Sequence, residues 1–318
     1  MELDPNLYTV AWIAPLEIEA KAALYMLDNR HEGRFTWKPG YDCLFHVGDI
    51  NGHNVIIATL PAGQQLDTGS AAALANQIKT FFPNIRFGLL VGVATGLPNL
   101  SKSPPRDIRL GDVLVGLPDR ESAGIVGYEL GKETKHGFRS AIGHIKIEAP
   151  HDTDCFLPFY KSIQDKTHAN CTFLDPGQDR DKLYRIGKHG VEYAVKRVQR
   201  PDSRRTRVWS GSLGSGEKLM ENGEKSDALR DKYTLIGLEI GAADVMNQIP
   251  VGVIRGVCDY GDEYKNEEWQ PYASAMAAAY AKAVLYQILP RRETTHPIFS
   301  PSDSGISVDV YQNYNNSI

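Results

Sequence analysis

The residues best placed to do chemistry lie in the segment 251–260, which reads VGVIRGVCDY. This is an apolar strand that ends by presenting an acid, Asp259, and an α/β protein places proton donors at such positions. The alternative is that Asp259 only caps the turn after the strand. Arg255 lies four residues earlier on the same face of the strand, and an ion pair with Glu239 would give Arg255 a structural role.

Two glycine-rich motifs and one pair of acids give weaker signals. The segment 211–216, GSLGSG, is followed by Glu217 where a phosphate-binding loop needs lysine, so a tight turn is predicted there. The segment 92–96, GVATG, follows a strand but lacks the third glycine of a dinucleotide fingerprint, which disfavours a nicotinamide cofactor. Asp259 and Asp262 have no third acidic neighbour and do not predict a metal site. We therefore expect no cofactor.

Composition limits the class of protein. The chain has 318 residues, 42% hydrophobic and 23% charged, which fits a globular α/β enzyme with an ample core. A net charge of -4 offers no basic excess for nucleic acid or an anionic membrane. The first residues lack the basic flank of a secretion signal, and no apolar run approaches the ~18 residues of a membrane span. Four scattered cysteines argue against a disulfide scaffold, so a reduced, cytoplasmic compartment is predicted.

Apolar runs alternate with helical patterns along the chain, which predicts a central sheet covered by helices on both faces. The predicted strands besides 251–260 are 8–14, 54–60, 87–93 and 111–117, with a turn at 94–98 after the third. The predicted helices are 17–28, 70–82 and 272–289. We therefore expect a single domain over 1–290.

Two regions depart from this alternation. Residues from about 131 to 205 are polar and are interpreted as an insertion that carries helices and flanks the opening of the site. Residues 291–318 are rich in Ser, Asn, Thr and Asp and lack a core-forming period, so a loosely docked polar tail is predicted.

Outside the insertion, residues 8–289 resemble the nucleoside phosphorylase and nucleosidase family in its fungal type. The segment 12–19, WIAPLEIE, is similar to the first strand and turn of that family, and 89–96, LLVGVATG, to its central glycine-rich turn. The segment 239–243, EIGAA, stands where family members read EMEAA. The resemblance implies a three-layer αβα fold with a mixed central sheet, a small-molecule substrate and a homo-oligomer, and identifies the chain as a divergent member.

The resemblance also implies roles for individual residues. An acid matching Glu19 activates water in nucleosidases, and the acid matching Asp259 protonates the departing purine. Phosphorylases place an arginine and a serine where this chain has Leu90 and Val93, so phosphorolysis is not expected. The second glutamate of EMEAA grips the ribose hydroxyls, and Gly241 stands in its place. These changes predict that the former sugar and phosphate subsites are apolar.

The leading expectation is therefore a fold reused as a cofactor-free cyclase or isomerase of the pericyclase type, acting on an apolar secondary metabolite. The alternative is a nucleoside N-ribohydrolase, a purine nucleosidase with Glu19 as base and Asp259 as acid. A non-catalytic binding or signalling module is a third reading, because related fungal domains occur at the front of multidomain receptors. Beside the two acids, the predicted substrate-binding residues are Val93, Ala94, Thr95, Gly96, Ser212, Glu239, Ile240, Gly241 and Tyr260.

Overall fold

The computed structural model describes residues 2–36, 44–118, 124–127, 132–134, 139–148, 154–166, 172–186, 191–217, 222–263 and 267–290. The strands are β1 Val10–Ile13, β2 Asn29–Arg30, β3 Leu44–Ile50, β4 His53–Thr59, β5 Phe87–Gly96, β6 Val113–Gly116, β7 Ile125–Gly127, β8 Lys132–Thr134, β9 Tyr184–Ile186, β10 Glu192–Ala194, β11 Val208–Gly211, β12 Leu213–Gly216, β13 Gly237–Ile240 and β14 Val251–Asp259. The α-helices are α1 Glu17–Met26, α2 Thr68–Phe81, α3 Arg139–Glu148, α4 Leu157–Lys166, α5 Gly223–Tyr233, α6 Ala242–Met246 and α7 Gln270–Tyr286.

In the described residues, twelve of these strands form one mixed sheet, and β9 and β10 form a separate hairpin. The strands β4, β1, β5 and β14 run parallel, whereas β13 is antiparallel to β5 and β6 is antiparallel to β14. Helices α1 and α4 pack on α7, which lies against β5 and β14, and α2 packs with α6. The predicted three-layer αβα architecture with a mixed central sheet is confirmed.

The core is built around β5, β14 and α7. All nine residues of β14 are buried, as expected for a parallel strand covered on both faces. Gly256 lets the helix approach this strand, because a Cβ atom there would lie 2.0 Å from the Ala273 carbonyl oxygen. Small residues on both elements therefore bring α7 directly onto the strand that ends at Asp259.

The sequence-based boundaries needed two corrections. The segment 94–98 is not wholly a turn, because β5 continues through Gly96 and pairs there with β13. The segment 211–216 is not a tight turn either, because it contains the end of β11 and the whole of β12. Its small residues reflect close packing: a Cβ atom on Gly211 would lie 2.9 Å from the Ile236 side chain.

The predicted insertion, 131–205, contains helices in its described part, namely α3 and α4, together with the β9–β10 hairpin. Its C-terminal end is fixed to the core by Arg200, whose guanidinium donates to the fully buried Asp112. The predicted tail, 291–318, lies outside the described residues. Among the helices in the described ranges, none is long and apolar enough to cross a membrane.

Candidate functional site

A cavity of about 540 Å³ lies beside the ends of β5, β13 and β14 and the N-terminal turns of α1 and α2. One part of its wall is apolar and comes from Leu16, Leu66, Val93, Ala94, Leu238 and Ile240. Another part carries charge and comes from Glu19, Asp67, Glu217, Glu239, Arg255 and Asp259. Ligand sites of open α/β sheets occur at the carboxyl ends of the strands, which is where this cavity lies.

Glu19 enters the cavity wall from the first turn of α1 and is almost fully buried. Its Oε2 accepts from the Leu16 backbone N–H at 3.0 Å, and its Oε1 accepts from the Val93 N–H at 2.8 Å. Room for this side chain depends on Gly92, because a Cβ atom there would lie 1.9 Å from the Glu19 Oε1. Burial raises the pKa of Glu19, and the nearby Arg255 guanidinium and the two N–H donors only partly oppose it.

Arg255 lies between two buried carboxylates. Its Nη2 donates to Glu239 Oε2 at 2.7 Å, whereas its Nη1 is 3.9 Å from Glu19 Oε1. Glu239 also accepts from the Ala242 backbone N–H, which fixes the start of α6. The ion pair between Arg255 and Glu239 proposed from the sequence is therefore present, and the guanidinium additionally neutralises part of the charge beside Glu19.

Asp259 ends β14, and a β-bulge determines where it lies. The register with β5 pairs Val257 with Ala94 and then Asp259 with Thr95, so Cys258 is the extra residue. Without the bulge Cys258 would take the place opposite Thr95. Asp259 Oδ1 accepts from the Thr95 hydroxyl at 2.5 Å and from the Gly261 backbone N–H at 2.9 Å. The bulge therefore brings the acid into the same cavity as Glu19.

Four residues predicted to bind substrate do not line this cavity: Gly96, Ser212, Gly241 and Tyr260. Gly96 faces Val257 in the core, and Ser212 is buried at the junction of β11 and β12, where its carbonyl accepts from Ile236.

The Tyr260 hydroxyl points away from the site. It donates to Asp181 Oδ1 at 2.5 Å and accepts from Arg197 Nη1 at 2.9 Å, and burial raises its pKa further. Its ring lines a separate cavity of about 200 Å³ that shares only Cys258 and Asp259 with the site. Tyr260 therefore joins the insertion to the end of β14.

Gly241 is required by the backbone. Its φ is +84°, a left-handed conformation that disfavours a side chain, and a Cβ atom would lie 2.6 Å from the Cβ of Ala71. A glutamate at this position would meet α2. The glycine at position 241 therefore has a structural reason in this chain, in addition to the missing ribose ligand that the resemblance implies.

The expectation of an apolar cavity also needs correction, because five carboxylates and one guanidinium lie in the described wall. Asp67, which the sequence reasoning missed, caps α2: its Oδ1 accepts from the Ser70 N–H at 2.7 Å. That hydrogen bond lowers the pKa of Asp67 and keeps it ionised. Its position three residues before Ser70, at the start of a helix, was a recognisable capping signal. Glu217, also missed, follows β12 and is exposed.

No metal centre is indicated by the described residues, in which no group of three or more His, Cys, Asp or Glu side chains is arranged to hold an ion. Two of the four cysteines, Cys155 and Cys258, lie in the described part of the chain, and neither forms a disulfide there. Cys258 Sγ is 3.3 Å from Asp259 Oδ2 and lies in the cavity wall.

Comparison with solved structures finds proteins of similar architecture. The 5′-methylthioadenosine/S-adenosylhomocysteine nucleosidase of Neisseria meningitidis, solved with methylthio-immucillin-A, superposes with a TM-score of 0.53 at 16% identity. The match covers 88% of this chain and 99% of that one. Futalosine hydrolase of Helicobacter pylori superposes with a TM-score of 0.52 at 15% identity, covering 89% and 99%.

Sequence comparison finds a longer relative. The chain is 33% identical over 316 aligned residues to a nucleotide-binding leucine-rich repeat (NLR)-like protein of Hyaloscypha variabilis. That match covers 93% of this chain but only 31% of the relative, so the chain spans about a third of the length of the curated relative it matches. No protein-family model matches the chain. These superpositions cover nearly the whole of each solved chain, and the chain has the nucleoside phosphorylase and nucleosidase fold.

Proposed function

We propose that the chain is a nucleosidase that hydrolyses the N-glycosidic bond of a nucleoside. One observation carries this proposal: Glu19 and Asp259 line the same cavity in different environments. Burial raises the pKa of Glu19 towards the range that suits a general base, whereas Asp259, at the end of β14, is held by two hydrogen-bond donors. Two carboxylates with separate environments can divide the roles of base and acid.

The proposed reaction consumes one water and one nucleoside. Glu19 accepts a proton from the water as its oxygen attacks the anomeric carbon, and the bond from that carbon to the base nitrogen breaks. Asp259 donates a proton to the departing base, so that the products are the free base and the free sugar. Positive charge that develops on the sugar is stabilised by the excess of carboxylates in the wall.

Sugar binding in this proposal falls to the rim of the cavity. Asp67 is exposed and stays ionised, so it can accept hydrogen bonds from sugar hydroxyls. Phosphate is a poor nucleophile here because the described wall carries a single guanidinium, and Arg255 already pairs with Glu239. We therefore propose water as the attacking group and expect no dependence on phosphate.

The test is release of free base. The protein is incubated with adenosine, inosine, guanosine, uridine and 5′-methylthioadenosine, with and without phosphate, and the bases are separated and quantified. We expect base release that phosphate does not accelerate and that falls by ~10²–10⁴-fold in both Glu19→Gln and Asp259→Asn. Glu17→Gln is the matched control, because Glu17 lies in the same helical turn but is 80% exposed and, among the described residues, forms its ion pair with Lys21. Equal rates in Glu19→Gln and Glu17→Gln would rule out the proposed base.

A cofactor-free cyclase or isomerase remains the second candidate, and the apolar wall residues favour it. The buried carboxylates count against it, because a pocket for an apolar metabolite has no use for unbalanced acids. A third candidate is a binding module within a longer signalling protein, a proposal supported by the relative named NLR-like. Retention of a nucleoside without base release would favour this module. The homo-oligomeric state and the cytoplasmic location stay predictions.

A further inference from the structure

We propose that Thr95 is a positioning residue that fixes which oxygen of Asp259 delivers the proton. This proposal rests on the proposed nucleosidase function and deepens it. It also changes the role expected for Thr95, which the sequence suggested as a contact to substrate. The Thr95 hydroxyl is 2.5 Å from Asp259 Oδ1, so it donates its hydrogen to the acid.

The two carboxylate oxygens have different surroundings. Oδ1 accepts from the Thr95 hydroxyl and from the Gly261 N–H, whereas Oδ2 contacts only the Cys258 thiol among the described hydrogen-bond partners, at 3.3 Å. A thiol is a weak donor. When Asp259 takes up a proton, Oδ1 is already occupied by two donors, so the proton goes to Oδ2. The acid form therefore presents its O–H from one defined oxygen.

The donors to Oδ1 are themselves held rigidly. Thr95 is 2% exposed, is β-branched and lies in β5, so its hydroxyl has little freedom. Gly261 has a φ of +65°, which lets its backbone turn the N–H back towards Asp259. Since the β-bulge at Cys258 sets Asp259 opposite Thr95, the hydrogen bond is a consequence of strand register. A general acid aimed in this way is pre-organised for proton transfer.

The test compares Thr95→Val, which removes the hydroxyl and keeps the shape, with Thr95→Ser, which keeps the hydroxyl. The readouts are kcat and KM for a nucleoside that the wild type hydrolyses, measured between pH 5 and pH 9. We expect Thr95→Val to lower kcat by ~10–100-fold with little change in KM, because a hydrogen bond to a charged group is lost. The falling limb of the pH profile should move to higher pH, since the ionised acid loses a donor. Thr95→Ser should stay close to wild type.

The matched control is Thr206→Val. Thr206 is also buried, its hydroxyl lies 3.3 Å from the Tyr272 hydroxyl, and it is not part of the cavity wall. We expect this variant to keep the wild-type kcat and pH profile, and thermal unfolding checks that all three variants fold. A Thr95→Val enzyme with wild-type kcat and pH profile would overturn the proposal. So would a Thr95→Ser enzyme as impaired as Thr95→Val, because that result points to shape alone.

Binding of free bases separates this proposal from the proposed function. Calorimetry with adenine, hypoxanthine, guanine and uracil is carried out on the wild type and on Thr95→Val. If the wild type hydrolyses no nucleoside but binds a base about tenfold more tightly than Thr95→Val, the nucleosidase proposal fails and the positioning role stands. If the wild type hydrolyses a nucleoside and Thr95→Val does so with the same kcat and pH profile, the nucleosidase proposal stands and the positioning role of Thr95 fails. Absence of both hydrolysis and base binding would overturn both proposals.

Discussion

Two buried ion clusters of this chain differ in how fully their charges are satisfied. In the first, which we call the Asp112 cluster, a single carboxylate accepts from both Nη atoms of Arg200, from the backbone N–H groups of Arg109 and Arg207, and from Trp209 Nε1. In the second, the Arg255 cluster, one guanidinium serves both Glu239 and Glu19 and reaches Glu19 only at 3.9 Å.

The difference separates a structural cluster from a functional one. No residue of the Asp112 cluster lines the 540 Å³ cavity, and the cluster joins the insertion to the sheet, so complete satisfaction of its carboxylate serves stability. The Arg255 cluster faces the cavity and contains two carboxylates but one guanidinium. Burial raises the pKa of Glu19, and the single guanidinium opposes this rise only in part. Buried groups with perturbed pKa values concentrate at functional sites, where the imbalance is put to chemical use.

The largest effect is expected when the satisfied cluster is broken. Asp112→Ala leaves the buried Arg200 guanidinium without its carboxylate partner, with only the backbone carbonyls of Arg205 and Asp107 as acceptors among the described residues. It also removes the acceptor of the Arg207, Arg109 and Trp209 N–H groups. We expect the free energy of unfolding to fall by ~3–5 kcal/mol, measured by urea denaturation.

The control for Asp112→Ala is an exposed ion pair. Arg180→Met removes the pair with Glu268, in which the arginine side chain is 61% exposed, and should change stability by at most ~1 kcal/mol. If the free energy of unfolding fell by a similar amount in the two variants, the buried and fully hydrogen-bonded Asp112 cluster would contribute no more to stability than an exposed ion pair.

Much of the frame of the site could be predicted from the sequence. Buried parallel strands read as continuous apolar runs, so β1, β4, β5 and β14 were found, and Asp259 was placed correctly at a strand end. Helix α7 was found from its apolar period and the proline that follows it. These features are local, since each depends on a short stretch of residues.

What the sequence could not supply depends on contacts between distant segments. Asp67 and Glu217 reach the cavity from separate loops, and their composition gives no sign of where those loops meet. Gly241 was interpreted by what it lacks, although its left-handed backbone and the close approach of Ala71 explain the glycine. Cys258 forms a bulge that sets the aim of Asp259, and a bulge is a property of two paired strands.

A change in stability of intermediate size is expected when a methyl group is introduced next to Glu19 in the Arg255 cluster. In Gly92→Ala the new methyl group overlaps Glu19 Oε1, and Arg255 Nη1 is only 2.7 Å from the same point. Glu19 must then move away from the Val93 N–H, and we expect a loss of ~1–3 kcal/mol in stability together with loss of base release. Urea denaturation and the base-release assay measure the two effects.

Gly143→Ala is the matched control for Gly92→Ala. Gly143 lies inside α3, and among the described residues no atom outside its neighbours and the backbone of its own helix lies within 4 Å of the place that its new methyl group would take. Alanine should therefore stabilise the chain by ~0.5–1 kcal/mol through helix propensity. A loss of stability in Gly92→Ala together with a gain in Gly143→Ala would show that the loss comes from crowding beside Glu19. A loss of stability in both would instead show that the methyl group is poorly tolerated for reasons unrelated to Glu19.

The smallest expected effect is a pH dependence of the free energy of unfolding that comes from Glu19. It tests most directly whether the charges of the Arg255 cluster are less fully compensated than those of the Asp112 cluster. Because burial raises the pKa of Glu19 above its ordinary value of 4.5, the folded chain holds this proton more tightly than the unfolded chain does. This contribution to stability is complete below the unfolded pKa and is lost as the pH rises through the higher folded value. Glu19→Gln does not titrate. Its single amide oxygen can accept from only one of the Leu16 and Val93 N–H groups, and the resulting loss of stability does not depend on pH.

The stability of Glu19→Gln relative to wild type should therefore increase from pH 4 to pH 8, by on the order of 1 kcal/mol for each unit by which the pKa is raised. Urea denaturation at several pH values measures this difference. A relative stability that stays constant or falls over this range would mean that Arg255 neutralises Glu19 completely. The charges of the Arg255 cluster would then be as fully compensated as those of the Asp112 cluster. The raised pKa that supports Glu19 as the general base would be absent.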